Sequence, residues 1–293
     1  MMTNLFEIEN ARKAYESFTL DDVCLKLPPG YIMGLIGPNG SGKTTLIKLI
    51  MNVVRRDGGT IRLFGSDNLR QAENARARIG FVQDEPTFYG HLTLASMKSI
   101  VAGFYESWDE EAFLRLIDRF DLPLSKRVMA LSRGMTTKFA LSLALSHRAE
   151  LLVLDEPTSG LDPGARRELL TILAEYIEDG TRSVLFSTHI TSDLERVADF
   201  VTLLQAGKLV FSSAKDDILD NWALVKGGNQ LLTAAARDHL EGCREGEHGF
   251  EALTSRGQDV QQHFDGDVLV EKASLEDIMF YTTPRHQGGT CSR

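Results

Sequence analysis

The sequence has few cysteines and only short apolar runs. Its three cysteines, Cys24, Cys243 and Cys291, are scattered along 293 residues, and their odd number and spacing fit neither a disulfide framework nor a cysteine metal site. Apolar runs such as 151–154 are far below the roughly 18 residues that a membrane span needs. We therefore expect neither a disulfide-rich protein nor an integral membrane protein.

Positive charge is outnumbered, with 32 lysine and arginine residues against 41 aspartate and glutamate residues. The formal net charge is -9 and the pI is about 5.3, which opposes a nucleic-acid surface, because such a surface needs clustered lysine and arginine. The first residues, 1–7, lack the cationic segment followed by an apolar one that marks a signal peptide. We therefore expect a cytoplasmic protein that does not bind nucleic acid.

What the sequence does contain is a phosphate-binding loop. It lies between an apolar strand at 31–36 and a helix with an apolar period at 44–50. Glycines let backbone N–H groups surround an anion, and the helix N-terminus adds partial positive charge. In this pattern the lysine reaches the β- and γ-phosphates and the hydroxyl after it binds Mg²⁺. The loop residues are Gly37, Pro38, Asn39, Gly40, Ser41, Gly42, Lys43, Thr44 and Thr45. The sequence therefore predicts binding of a nucleoside triphosphate.

Strand-like runs alternate with helical segments, which predicts an α/β fold with a P-loop NTPase core sheet. The runs at 5–8 and 18–27 predict an antiparallel β flap before the loop. Between residues 84 and 150 the strand pattern stops, and apolar residues at 113, 116, 117 and 120 mark one face of a helix. This region is predicted to be an α-helical insertion between two core strands.

The chain is predicted to divide near residue 211. Residues 1–211 form the nucleotide-binding domain, and 212–283 form a small C-terminal α/β extension, where glycines punctuate an acidic stretch. Residues 284–293 are predicted to be a disordered tail.

Two acidic residues end a strand of four apolar residues. Asp155 and Glu156 follow 151–154 directly, and carboxylates at the end of a buried strand need a cation or water beside them. Beside a phosphate loop, Asp155 can hold Mg²⁺ through water, opposite Thr44. Glu156 can then accept a proton from the water that attacks the γ-phosphate. A solvated acidic turn is the alternative.

A second anion-binding cap is predicted at Ser132 and Gly134, just before a helix that begins near Thr136. By itself this segment is better explained as an ordinary serine N-cap. Together, the loop at 37–45, the Ser132 cap, the Asp155-Glu156 pair and His189 resemble the ATP-binding subunits of ABC transporters. The resemblance covers about residues 3–211.

The resemblance implies further roles. Tyr15 is similar to the aromatic residue that stacks on adenine. Gln83 is similar to the glutamine that touches Mg²⁺ and the attacking water. Asp162, in a loop that resembles the one crossing to the opposite subunit, is implied to lie at the nucleotide, although Pro163 also fits a simple capping turn. His189 resembles the switch histidine that contacts the γ-phosphate.

The cap departs from the family's commonest form, which has glycine in place of Arg133 and glutamine in place of Met135. Because Ser132 and the backbone N–H groups remain, we still expect phosphate binding. The rate of hydrolysis does not follow from the sequence. This form, with Lys138 after it, is similar to a bacterial branch associated with drug or antibiotic export.

The partners follow from the resemblance. Two copies, or this chain and a paralogous ATP-binding subunit, are implied to pack head to tail, each ATP lying between Lys43 of one and Ser132 of the other. A separately encoded transmembrane permease would hold the pair at the inner face of the membrane. Its contact is expected at Phe88, Tyr89 and His91, for which a buried aromatic cluster is the alternative.

The expected function is therefore ATP hydrolysis that powers a permease, with an exporter favoured because the C-terminal extension resembles that of exporter subunits. One alternative is an ABC-type ATPase of translation or DNA repair. Such proteins usually carry two cassettes or a long coiled coil, and this sequence has neither. A small-molecule kinase is a third reading, opposed by the order of Ser132, Glu156 and His189.

Overall fold

The computed structural model describes residues 3–70, 72–264 and 266–283; the predicted tail at 284–293 lies outside them. The chain divides into two compact units, one of residues up to His189 with Arg196–Ser212, the other of Ile190–Glu195 with the residues from Ser213 onward. Within the described ranges, each helix is too short or too polar to cross a membrane.

The first unit contains two sheets and the helices that cover them. Its strands are β1 (Phe6–Ala14), β2 (Thr19–Leu27), β3 (Ile32–Ile36), β4 (Gly58–Leu63), β5 (Ser66–Asp67), β6 (Ile79–Val82), β7 (Leu151–Asp155), β8 (Ser183–Ser187), β9 (Phe200–Gln205) and β10 (Lys208–Ala214). Its helices are α1 (Lys43–Ile50), α2 (Ala72–Ala77), α3 (Leu94–Ala102), α4 (Glu110–Arg119), α5 (Arg133–Leu145) and α6 (Pro163–Ile177). Helix α7 (Thr191–Val197) and strand β10 have residues in both units.

The predicted α/β class, core sheet and flap are confirmed. A six-stranded sheet has the order β10-β9-β3-β8-β7-β6, and β3, β8, β7 and β6 pair in parallel. All five residues of each of β3, β7 and β8 are buried, as strands covered on both faces must be. The flap is an antiparallel sheet of order β2-β1-β4-β5.

The segment from 84 to 150 is helical, as the end of the strand pattern predicted. Helix α4 buries Phe113 and Ile117, and the Phe113 and Phe139 rings lie 6.4 Å apart, edge to face. Helix α5 begins at Arg133 rather than near Thr136, because the Ser132 hydroxyl accepts from the N–H of Met135 and starts the helix earlier.

The second unit has its own antiparallel sheet, of order β12-β13-β11-β14. Its strands are β11 (Ala223–Gly227), β12 (Gly242–Gly246), β13 (Gly249–Thr254) and β14 (Leu269–Lys272), and its helices are α8 (Lys215–Asn221), α9 (Ala234–Arg237) and α10 (Leu275–Thr282). Val225, Phe250 and Ala252 lie in a separate apolar core. Ser274 and Asp277 form a reciprocal capping box that starts α10.

Candidate active site

The carboxyl ends of four neighbouring parallel strands place the predicted site residues along one edge of the core sheet. The phosphate loop follows β3, His189 follows β8, Asp155 and Glu156 end β7, and Gln83 follows β6. The register aligns these ends, since Leu35 and Asp155 both pair with Ser187. Ligands of open α/β sheets bind at this edge.

The phosphate loop needs glycine where the main chain is most crowded. Gly37 has a φ of +151°, and a Cβ there would lie 2.1 Å from the carbonyl oxygen of Leu204 in β9. Gly42, the N-cap of α1, is left-handed and gives that helix no side-chain cap. Because no side chain caps this helix, the N–H groups of its first turn suit the binding of an anion in the loop.

Lys43 is the charged group of the loop. It is only 7% exposed, and its ammonium donates to the carbonyl of Gly37 at 2.8 Å and lies 3.7 Å from Glu156 Oε1. Thr44 beside it is exposed, and the Ser41 hydroxyl is buried with no hydrogen-bond partner among the residues that the structure describes. An orphaned buried hydroxyl in a loop of this kind fits a polar ligand.

Glu156 lies between two groups that carry or accept positive charge. Its Oε2 is 2.7 Å from His189 Nδ1 and accepts from the His189 backbone N–H at 3.3 Å, while Oε1 faces Lys43. The backbone of Glu156 is left-handed, with φ 51°, a conformation that non-glycine residues adopt at a cost and that clusters at functional sites. The structure thus brings together three residues that the sequence placed at the γ-phosphate.

Ser187 contacts both Asp155 and Glu156, a role that the sequence did not predict. Its hydroxyl donates to Asp155 Oδ1 at 2.6 Å and accepts from the N–H of Glu156 at 3.0 Å. The available signal was a serine that ends an apolar strand of the same sheet, since a polar residue there needs a partner at the sheet edge.

The turn from β9 to β10 joins the flap to the phosphate loop. The Gly207 N–H donates to the Ser41 carbonyl at 3.0 Å, and the Gly207 carbonyl accepts from the N–H of Asp21 at 2.8 Å. Tyr15 is 44% exposed and lies in the turn between β1 and β2. The Tyr15 N–H closes this turn by donating to the Phe18 carbonyl. The Phe18 ring packs where a Gly42 side chain would be, so the flap turn lies against the loop.

Four further predicted residues are Gln83, Ser132, Gly134 and Asp162. Gln83 is exposed just after β6. Ser132 caps α5, with Gly134 in the first turn of that helix. Asp162 caps α6 by accepting from Gly164 and Ala165 N–H groups at 2.9 and 3.0 Å, and the Ala165 bond is the main reason why its pKa is lowered. The capping alternative thus describes the geometry of Asp162 within one subunit.

Comparisons with known proteins identify the family of this chain. A family model described as ABC transporter matches residues 20–159. The chain is 30% identical to the bacitracin transport ATP-binding protein BcrA of Enterococcus faecalis, over 72% of this chain and 69% of that protein. It is 32% identical to the lantibiotic transport ATP-binding protein SrtF of Streptococcus pyogenes, over 72% of this chain and 92% of that one.

Two further comparisons bear on coverage and fold. The ABC transporter ATP-binding protein YdbJ of Bacillus subtilis is 32% identical over 65% of this chain, but the chain spans only 62% of YdbJ. A solved ATP-binding subunit of an ABC transporter is 30% identical, with a TM-score of 0.68 over 74% of this chain and 92% of that one. The chain belongs to the ABC transporter ATP-binding proteins, ATPases that bind ATP and couple its hydrolysis to transport.

Proposed function

We propose that this chain hydrolyses ATP between two head-to-tail subunits and so powers a separately encoded membrane permease, an exporter. The observation that carries the proposal is the convergence of Lys43, Glu156 and His189 at the carboxyl edge of the core sheet. Lys43 would neutralise the β- and γ-phosphates. Glu156 would take the proton of the attacking water, and His189, tethered to Glu156, would contact the γ-phosphate.

The residues at this edge fit Mg²⁺ by their chemistry. Thr44, Asp155 and Gln83 offer a hydroxyl, a carboxylate and an amide oxygen, and Mg²⁺ is bound by oxygen ligands and water. Asp155 is buried, and Ser187 fixes its orientation through Oδ1. When bound, the ion would neutralise charge on the β- and γ-phosphate oxygens. Tyr15, exposed on the flap, would stack on the adenine.

The position of the second cap supports the proposed dimer. Ser132 caps α5 in the helical insertion, whereas Lys43 is the first residue of α1, the helix that follows β3 in the chain. In a twofold dimer, the Ser132 hydroxyl and the N–H groups around Gly134 of one subunit would reach the γ-phosphate held by Lys43 of the other. Asp162 would lie beside the same interface. Hydrolysis then removes a bridging charge-assisted contact and loosens the pair.

We expect Ser132→Ala to weaken ATP-driven dimerisation at least about tenfold, the effect of losing a hydrogen bond to a charged phosphate. The measurement is light scattering after size-exclusion chromatography, in a Glu156→Gln background with ATP and Mg²⁺. Thr93→Ala is the matched control, because the Thr93 hydroxyl caps α3 in the same way, by accepting from the N–H of Ser96. Equal loss in both variants, or a monomeric background protein, would contradict the dimer.

The permease contact is proposed at the start of the helical insertion. Tyr89 is 62% exposed and His91 is exposed, with ring centroids 6.2 Å apart, whereas Phe88 is half-buried against Phe139. Met129, also exposed, joins this segment through its N–H, which donates to the Gly90 carbonyl at 3.0 Å. An apolar cytoplasmic segment of the permease, at the inner face of the membrane, fits this surface.

Tyr89→Ala should abolish co-purification with the permease while the ATPase rate of the isolated chain is unchanged. Phe88→Ala should weaken docking too, but it should also lower the melting temperature, because a half-buried aromatic ring is lost. Tyr31→Ala is the control, since this exposed tyrosine lies at the amino end of β3. Retention of the permease by Tyr89→Ala would refute the contact.

Export is supported by the form of the cap, Ser132-Arg133-Gly134-Met135, and by the C-terminal extension. The names of BcrA and SrtF concern transport of bacitracin and a lantibiotic, and an antimicrobial peptide is therefore the substrate class that we would test first. Peptide-stimulated ATP hydrolysis by the chain reconstituted with its permease is the assay. For the alternative roles in translation or DNA repair, the described residues offer no supporting observation.

A further inference from the structure

Arg133 stands at an unfavourable place for a cation. It is the first residue of α5, between Ser132 and Gly134, and the N-terminus of a helix carries partial positive charge. A guanidinium there needs a compensating partner. In the sequence, Arg133 is only a departure from the glycine of the family's commonest cap.

In the structure, the guanidinium of Arg133 binds two other segments of its own subunit. Its Nη2 donates to Asp84 Oδ1 at 2.8 Å and to the Ser159 hydroxyl at 3.3 Å. Asp84 directly follows Gln83. Ser159 lies in the turn that follows Glu156, and its N–H donates to the Glu156 carbonyl at 3.1 Å. Both ion-pair partners are about half exposed, 51% and 46%.

The aliphatic part of the same side chain packs on that turn. A Cβ added at Gly160 would lie 3.1 Å from Cδ of Arg133, and Gly160 has a φ of +75°. Glycine at this position therefore leaves the space that the arginine stem occupies. The stem and the guanidinium together fix the first turn of α5 against the segment that begins at Glu156.

We propose that Arg133 is a positioning residue for ATP hydrolysis. It ties the Ser132 cap to the Gln83-Asp84 segment and to the Glu156–Ser159 turn. The inference rests on the proposed head-to-tail dimer. There, Gln83 and Glu156 serve the nucleotide bound by their own subunit, whereas Ser132 serves the nucleotide of the partner subunit. The Arg133–Asp84 pair thus holds the two half-sites of one subunit in a fixed relation.

A double-mutant cycle on Asp84→Asn and Arg133→Gln tests this role. Each single change should lower kcat about three- to fivefold, the effect of a half-exposed ion pair that positions other groups, and change KM for ATP less than about twofold. The double variant should lose no more than either single variant. Arg133→Lys, which keeps the charge but not the forked geometry, should recover part of the loss.

The matched control is Glu85→Gln, which removes an exposed neighbouring carboxylate and should leave kcat unchanged. Multiplying losses in the double variant, or a kcat of Asp84→Asn equal to that of the wild type, would overturn the inference. So would a higher kcat in Asp84→Asn, because Arg133 would then act directly on phosphate once released. A loss of kcat matched by a fall in melting temperature and a rise in KM would assign Arg133 a merely structural role.

Failure of this inference can be told apart from failure of the proposed function. If the wild-type chain turns over ATP and dimerises, but the cycle shows no coupling, only the role of Arg133 is refuted. If the Glu156→Gln chain stays monomeric with ATP and Mg²⁺, the dimer is refuted, and this role of Arg133 falls with it.

Discussion

Glu156→Gln should lower the ATP turnover rate by about 10²- to 10⁴-fold, the contribution of a general base, and leave ATP binding intact. Glutamine keeps the volume of the side chain and an oxygen that can accept from the His189 N–H, which now donates to Oε2 at 3.3 Å. It loses the ability to take a proton and the negative charge that faces Lys43. Single-turnover hydrolysis and equilibrium binding of ATP, measured on the same preparation, separate the two effects.

Glu150→Gln is the control for this experiment. Glu150 directly precedes β7, so it lies at the end of the strand opposite to Glu156, where it pairs with Arg78 at 2.5 Å. Its loss should cost at most about 1 kcal/mol of stability, as expected for an exposed pair, and should not change turnover. Normal turnover in Glu156→Gln would remove Glu156 from the role of base.

Lys43→Met should weaken ATP binding about 10- to 100-fold, because charge-assisted hydrogen bonds to phosphate are lost while the aliphatic volume is kept. The buried ammonium is held by the Gly37 carbonyl and lies 3.7 Å from Glu156. The lysine is therefore already directed into the loop, and few rotamers need to be restricted when phosphate binds. Isothermal titration of ATP into the purified chain measures the change.

Lys48→Met removes an exposed lysine from the last turn of the same helix. It tests whether net charge alone accounts for the effect, and it should leave ATP affinity unchanged. The same loss of affinity in Lys48→Met, or an unchanged affinity in Lys43→Met, would show that Lys43 does not bind the phosphates.

The core of the first unit could be predicted because buried parallel strands are apolar throughout. The runs predicted at 31–36 and 151–154 correspond to β3 and β7 within one residue at each end. The helical insertion was predictable for a related reason, since Phe113 and Ile117 repeat with a helical period and are buried. Both signals arise from burial, and neither depends on long-range partners.

The strands of the second unit could not be located individually. All four residues of β14 are exposed, and β12 is exposed over most of its length, so neither strand has the apolar alternation that marks a half-buried strand. Pairing with β11 and β13 determines their conformation, and pairing between distant segments leaves little trace in a single sequence.

The contacts of the site were also beyond the sequence. Spacing and resemblance placed Glu156 and His189 near the γ-phosphate, but not the 2.7 Å approach between them. The partners of Arg133 lie 49 and 26 residues away along the chain, and no local pattern selects Asp84 over its neighbour Glu85. Residue type predicts which chemistry is available, whereas only the fold determines which groups share a partner.

The hydrogen bonds of Gly207 have a consequence for nucleotide choice. The Gly207 N–H bonds to Ser41 of the phosphate loop, and the Gly207 carbonyl bonds to Asp21 of the flap strand β2. Both segments are therefore attached to the same turn. In the proposed site, the flap that carries Tyr15 and the loop that would hold the phosphates are therefore linked through this turn. If Tyr15 stacks on the base as proposed, a mono- or diphosphate would extend less far along the loop than a triphosphate.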